Sequence, residues 1–245
     1  MANNELSGLL VAANLYRELK KKKSLRYSYR FLFLPETIGS IAYLSKFGDE
    51  LKKKVDAGFV VTCVGDDKNI TYKKSRIGNC LADRAVLNVL ENSRKSFKVL
   101  DWLPVDGSDD RQYCSPGFNL PVGSLMRTKY GDYPQYHTSL DNKDFISENG
   151  LKGSIELYLE VLETIELNRF YTNTNPFCEP CFSKRGLTMG LGGQKISNGT
   201  FNNYKYILNY SDGHHDLIEI ANKARGKAID FKEDLMRLIE TGLII

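Results

Sequence analysis

The sequence has no apolar run long enough to span a bilayer as a helix, and no signal-peptide pattern follows Met1. It also lacks an even cysteine framework. Its five cysteines, at 63, 80, 114, 178 and 181, are unevenly spaced, which argues against a secreted disulfide scaffold and for a reducing cytoplasm. Cys178 and Cys181 make one CxxC without a second, too little for a structural zinc site. Strong charge is missing too: a formal +4 gives no argument for nucleic acid by itself. The lysine runs at 20–23 and 52–54 each end an amphipathic stretch, where cations complement the helix dipole. What is present is an ordinary globular composition, 42% hydrophobic and 26% charged, enough for a real core.

The organising stretch is 31–36. Phe31, Leu32, Phe33 and Leu34 predict a strand buried on both faces, and Pro35 ends it because it cannot donate a ladder hydrogen bond. Glu36 then falls where open α/β sheets bind ligands, although a first-turn helix acid is the plainer reading. Ahead of it, Leu9, Ala12, Ala13, Tyr16 and Leu19 recur at helical spacing and are expected on the core face. The small pair Ser7-Gly8 near the start of that helix implies a close backbone approach. So abrupt a beginning leads us to expect sequence upstream of Met1.

Helical patterns follow at 40–47 and 51–55, then a β-branched strand at 58–64 that ends at Gly65-Asp66-Asp67. A helix over 79–90, a strand within 97–103, an irregular segment at 106–117 and a strand over 119–126 come next. Irregular segments of that length are usually functional. A polar loop carrying His137 leads to a helix over 151–169. Alternating strands and helices predict an α/β sandwich for residues 1–186. Residues 187–245 change character: a glycine-bearing linker at 190–199 precedes helical patterns at 201–208, 215–224 and 231–241, a helix-turn-helix of winged-helix type. Ser211-Asp212 is the expected cap of the second of these.

Glu36, Asp66 and His137 thus sit at predicted strand ends. The stretches FLFLPETIGSIAYL (31–44), VVTCVGDDKN (60–69), GSDDRQYCSPGFNLPVGSLMRT (107–128) and YHTSLDN (136–142) together resemble a bacterial aminopeptidase-like family. That family carries a C-terminal winged helix, is met beside polysaccharide-biosynthesis genes, and is a branch of the zinc aminopeptidases and glutaminyl cyclases. The resemblance covers nearly the whole chain. It implies a three-layer αβα sandwich with a mixed sheet, zinc, and hydrolysis of a peptide or small amide.

Carried over residue by residue, the paired Glu-Glu of zinc aminopeptidases falls on Glu36 and Thr37, so the general base is kept and a metal ligand is absent. The bridging Asp falls on Asn4, with Glu5 beside it. The next ligand falls near Thr62, with Asp66 just beyond, and the closing His matches His137, followed by Asp141. An upstream His, a large N-terminal portion and an inserted domain of the family have no counterpart here, so a truncated member is expected. On this footing Glu36 is the candidate base, and His137, Asp66 and Glu5 are the candidate metal donors for at most one ion. Asp109, Asp110, Arg111 and Tyr136 are the candidate substrate contacts.

Each assignment has a bland rival. His137 reads as a hydrogen-bonded surface imidazole, Asp66 with Asp67 as a turn pair, Glu5 as a first-turn acid, and 109–111 as a self-satisfied loop network. Tyr113, Tyr133 and Tyr136 read as packing, and His214-His215 as a solvated helix start. A metal-poor, non-catalytic ligand binder is the alternative function, and a winged-helix regulator a third. Asp230, Glu233, Asp234 and Glu240 outweigh Lys232 and Arg237 in the last helix, which argues against nucleic acid as the partner. An exposed sheet edge makes a homodimer the expected assembly.

Overall fold

The computed structural model describes residues 1–188 and 197–245. The chain divides into two compact units, Met1–Leu162 and Glu163–Ile245. Gly186, the expected domain boundary, lies inside the second unit, and the expected linker lies outside the described residues as far as 196.

Unit 1 is built on a four-stranded mixed sheet of β1 (Gly58–Phe59), β2 (Thr71–Lys73), β3 (Lys98–Leu100) and β4 (Val122–Met126), in the order β1-β4-β2-β3. β1 runs parallel to β4 with Gly58 opposite Val122, and β2 parallel to β3 with Tyr72 opposite Val99. β4 and β2 are antiparallel, with Leu125 opposite Tyr72. Pairing continues past β1: Val60 N–H donates to the Gly123 carbonyl at 2.9 Å and Arg127 N–H to the Cys63 carbonyl at 2.8 Å. The sheet edge therefore delivers residues 63–66 to one end of β4.

Five helices pack around this sheet: α1 (Ser7–Lys20), α2 (Ile38–Lys54), α3 (Leu81–Glu91), the single turn α4 (Asp110–Tyr113) and α5 (Glu148–Leu167). Phe59 meets Tyr158 of α5 edge-on at 5.7 Å, while its neighbour Val60 packs with Leu44 and Leu51 of α2. Successive strand residues point to opposite faces, so α2 and α5 cover opposite sides of the sheet, as a sandwich requires.

The expected helices at 40–47 and 51–55 are one element, α2. β2 was not anticipated, because a three-residue strand written Thr-Tyr-Lys carries almost no hydrophobic pattern. Residues 31–34 correct the opening expectation. They form no strand, and Leu32, Phe33 and Leu34 are 40%, 53% and 38% exposed. Strand composition specifies a strand only where another strand supplies ladder partners, and the sheet of this unit offers none at that place.

The core face of α1 is Val11, Leu15 and Leu19, whereas Leu9 and Tyr16 are exposed. Gly8 sets that rotation: a Cβ there would lie 2.1 Å from the Val61 carbonyl oxygen. The close approach expected from Ser7-Gly8 is present. From the other side, a Cβ on Gly150 of α5 would lie 2.2 Å from the Gly65 carbonyl oxygen. The backbone of 61–65 is thus held between two helices at glycine distance.

In unit 2, β5 (Phe170–Thr172) and β6 (Asp212–Asp216) pair antiparallel, and α6 (Asn198–Tyr210), α7 (Leu217–Lys223) and α8 (Lys232–Glu240) surround Ile207, Leu217, Ile220, Leu235 and Leu238. The three expected helices are α6, α7 and α8. The cap of α7 is Asp216, not Ser211-Asp212: Asp216 and Glu219 form a reciprocal capping box at 3.1 and 2.9 Å. Among the described residues no helix is long and apolar enough to cross a membrane.

Gly8→Ala is expected to destabilise the chain by about 1–3 kcal/mol, because the obstructing atoms are backbone and cannot swing away; urea unfolding measures it. In unit 2, the backbone amides of His214 and His215 and the His215 ring hold the exposed Asp212 carboxyl down at about 2. Its stabilising contribution is therefore complete above the ordinary value of 3.8 and lost as pH falls through about 2. A side-chain NMR titration with an ordinary carboxylate midpoint would contradict this.

Candidate functional site

Two buried carboxylate networks meet below a loop-lined surface in unit 1. The first is centred on Asp66, 1% exposed. Its carboxylate accepts from Thr128 Oγ1 at 2.7 Å, Thr128 N–H at 3.0 Å, Lys68 N–H at 3.0 Å and Asn3 Nδ2 at 3.2 Å. Asn3 in turn accepts from Gly65 N–H at 2.8 Å. Its own N–H and that of Asn4 donate to the two oxygens of Asp141, at 2.6 and 3.1 Å. The π-helical turn Ala2–Leu6 is thereby tied to 62–66 and to the 133–142 loop. Cys63 lies in the middle, fully buried with φ 51°, its Sγ 3.6 Å from Asn4 Oδ1 and 3.6 Å from the Tyr133 hydroxyl. Burial pushes this thiol up to about 11, so it is no nucleophile at neutral pH.

The second network centres on Lys73 and Asp110, each 1% exposed and paired at 2.8 Å. Lys73 also donates to the Tyr130 hydroxyl at 3.0 Å and to the Asp106 carbonyl. Asp110 accepts from Ser108 N–H at 2.9 Å, which closes the 106–113 loop onto β2.

That loop reaches Glu36. Ser108 Oγ donates to Glu36 Oε1 at 2.7 Å, and Asp109 Oδ1 accepts Thr37 N–H at 2.7 Å. Burial raises the Asp109 carboxyl, with the nearby charges of Glu36 and Asp110 acting the same way against the hydrogen bonds from Thr37 and Ser40. Thr37 itself is at φ 62°, ψ −70°, and Ile38 N–H donates to the Glu36 carbonyl at 2.7 Å. This is a γ-turn of the rare positive-φ form.

In the 133–142 loop, His137 is exposed at φ 57° and stacks on Tyr136 with ring centroids 3.9 Å apart. Tyr136 meets Tyr133 edge-on at 5.6 Å. Burial raises the Tyr136 hydroxyl, and the negative charges of Cys63 (as thiolate), Glu36, Asp106 and Glu5 raise it further. The charges of Glu36 and Glu5 thus act on the Tyr136 hydroxyl, and His137 stacks on its ring. Arg111 is exposed, and Glu5 is an exposed acid on the π-helical turn.

Not every candidate converges. Among the described residues no three His, Cys, Asp or Glu side chains stand close enough to hold a metal ion. Zinc in a catalytic site needs three protein donors with free lone pairs and a place for water. Of the three candidate donors, Asp66 already spends its carboxylate on four hydrogen-bond donors, while Glu5 lies exposed on the π-helical turn and His137 exposed on its own loop, in no cluster of three. As placed, these side chains do not fit zinc. Sequence reasoning missed Lys73, Ser108, Thr128 and Asn3 as members of the networks. Lys73 and Thr128 give no local signal, whereas Ser108 and Asn3 adjoin residues that were singled out.

The fold is that of aminopeptidases. An aminopeptidase from Aneurinibacillus sp. strain AM-1 superposes with a TM-score of 0.51 at 17% identity, over 67% of this chain and 39% of that one. LapA from Legionella gives 0.54 at 15% identity, over 67% and 48%. At that identity the likeness is one of architecture. Residues 1–168 match the family described as Domain of unknown function (DUF4910), and the chain belongs to it. Residues 169–245 match a winged helix-turn-helix model. A Clostridium acetobutylicum protein provisionally named for polysaccharide biosynthesis, with an aminopeptidase-like domain, is 46% identical over 226 residues, 91% of this chain and 51% of its own length. A crystal structure from the same species, provisionally described as a peptidase, matches with a TM-score of 0.90 at 42% identity over all of this chain and 54% of that one. The chain thus spans about half the length of these relatives.

Lys73→Met leaves a buried, unpaired carboxylate and is expected to cost about 3–5 kcal/mol. Combining it with Asp110→Asn is expected to restore a large part of the loss in urea unfolding; an uncoupled pair of effects would refute the ion pair as the anchor of the loop.

Proposed function

We propose that unit 1 binds a peptide or small amide at the surface between the Glu36 turn and the 133–142 loop, and that Glu36 drives its hydrolysis as general base. The carrying observation is the Glu36 carboxylate itself: exposed, oriented by Ser108, set on a strained turn, and close enough for its charge to act on the Tyr136 hydroxyl. Non-glycine residues at positive φ gather where function needs them, and Thr37, Cys63 and His137 are three such residues in this one region. Glu36 takes a proton from the attacking water as the C–O bond forms, and returns it to the leaving amine as the C–N bond breaks. Tyr136 and Arg111 are the substrate contacts. No step is assigned to zinc, since the donors do not fit it.

A second reading, ligand binding without turnover, is favoured by the saturated hydrogen bonding of Asp66. On either reading unit 2 serves packing or protein contact, in keeping with its balance of ten acidic and ten basic side chains. The five free cysteines of the chain support a cytoplasmic location as part of this reading, and a homodimer is the proposed assembly.

Incubation with aminoacyl amides separates the two readings. Hydrolysis that falls about 10²–10⁴-fold in Glu36→Gln, with binding retained, supports the base. Calorimetric binding with no product from the unaltered chain supports the binder. Elemental analysis is expected to find no stoichiometric zinc.

A further inference from the structure

We propose that Asp109 is a positioning residue that holds Glu36 in its working orientation through the Thr37 backbone, with Ser108 fixing the carboxylate directly. The inference rests on the hydrolase reading for its consequence in catalysis but on geometry alone for its structural content.

A positive-φ γ-turn is strained and persists only when its surroundings over-determine it. Here the surroundings are specific. The Thr37 N–H points out of the turn and is taken by a carboxylate oxygen at 2.7 Å. Such a charge-assisted bond is stronger than one between neutral groups and offsets the strain of the turn. Ile38 N–H closes the turn on the Glu36 carbonyl, and Gly39 N–H bonds the Pro35 carbonyl at 3.0 Å, so Glu36 sits in a locked loop at the head of α2. Gly39 has no room for a side chain there, since a Cβ would meet Leu34 Cβ at 2.8 Å and Pro35 Cδ at 2.9 Å.

Asp109 can bear this strain because its own chain cannot give. The next residue, Asp110, is buried against Lys73 of β2, and Ser108 N–H bonds the same Asp110 carboxylate. The line of force runs from the sheet through Lys73 and Asp110 to Ser108 and Asp109, and from them to both ends of Glu36, backbone and carboxylate. Neither Asp109 nor Ser108 has to touch substrate for this.

The test compares Asp109→Ala with Asp109→Asn, and Ser108→Ala with Ser108→Thr. Asn keeps an acceptor for the Thr37 amide and Thr keeps a hydroxyl for Glu36; Ala removes each. Two readouts are taken on the whole chain. Hydrogen exchange of the Thr37 amide is expected to accelerate at least about tenfold in Asp109→Ala, as for the loss of a bond of this strength, and to stay slow in Asp109→Asn. With aminoacyl amide substrate, kcat is expected to fall about 10–100-fold in each Ala variant with KM unchanged, and to be rescued in the Asn and Thr variants. Fast Thr37 exchange in Asp109→Ala without hydrolysis by any form, the unaltered chain included, upholds the positioning and removes the hydrolase reading. Unchanged Thr37 exchange in Asp109→Ala, or equal kcat losses in the Ala and Asn variants, overturns the proposal.

Discussion

Two helices press on one short piece of backbone, and the geometry of unit 1 follows from that contact. Gly8 of α1 and Gly150 of α5 approach the carbonyls of Val61 and Gly65 at distances no side chain permits. With 61–65 pinned, Cys63 is held at φ 51° and Asp66 is presented to Thr128 and Asn3. The same pinning lets Ser7 Oγ accept from Val64 N–H at 3.1 Å and Ser154 Oγ donate to the Val64 carbonyl at 2.7 Å, so each helix bonds this backbone as well as touching it. Close approach of this kind strengthens every polar contact nearby by excluding water.

The two carboxylate networks do different work. Asp66, with Asp141 beside it, staples the Ala2–Leu6 turn to the end of β4, and all its partners are uncharged donors. Asp110 instead neutralises a buried lysine and moors a loop. A fully bonded carboxylate and an ion-paired one are both satisfied groups, which is how these charges persist at 1% exposure. Glu36 differs in lying at the surface with one side-chain donor on it. That contrast separates these framework acids from Glu36, whose carboxylate lies at the surface.

Much of the architecture was legible in the sequence where a pattern was long. The buried face of α3, with Ala82, Ala85, Val86 and Val89, follows the helical period, as do α6 to α8. The close approach at Ser7-Gly8 was readable from residue size alone. Residues 31–34 misled because strand pairing is a non-local property that four apolar side chains do not encode. β2 escaped notice for the opposite reason, since Lys73 in a central strand looks like a surface residue until its partner Asp110 is seen. The candidate positions 36, 66, 109 and 137 were singled out from expected strand ends, an irregular loop and the family resemblance, although the strand expected to lead to Glu36 does not form. Their wiring was not legible: whether an aspartate accepts from four neighbours or stands open depends on residues such as Thr128, far away along the chain.

The strip formed by Leu32, Phe33 and Leu34 carries one further consequence. Aromatic and aliphatic side chains turned to water make an adhesive patch. Were copies of this chain to associate at high concentration, the strip would add apolar contact area, and a lysine written into it would weaken that contact.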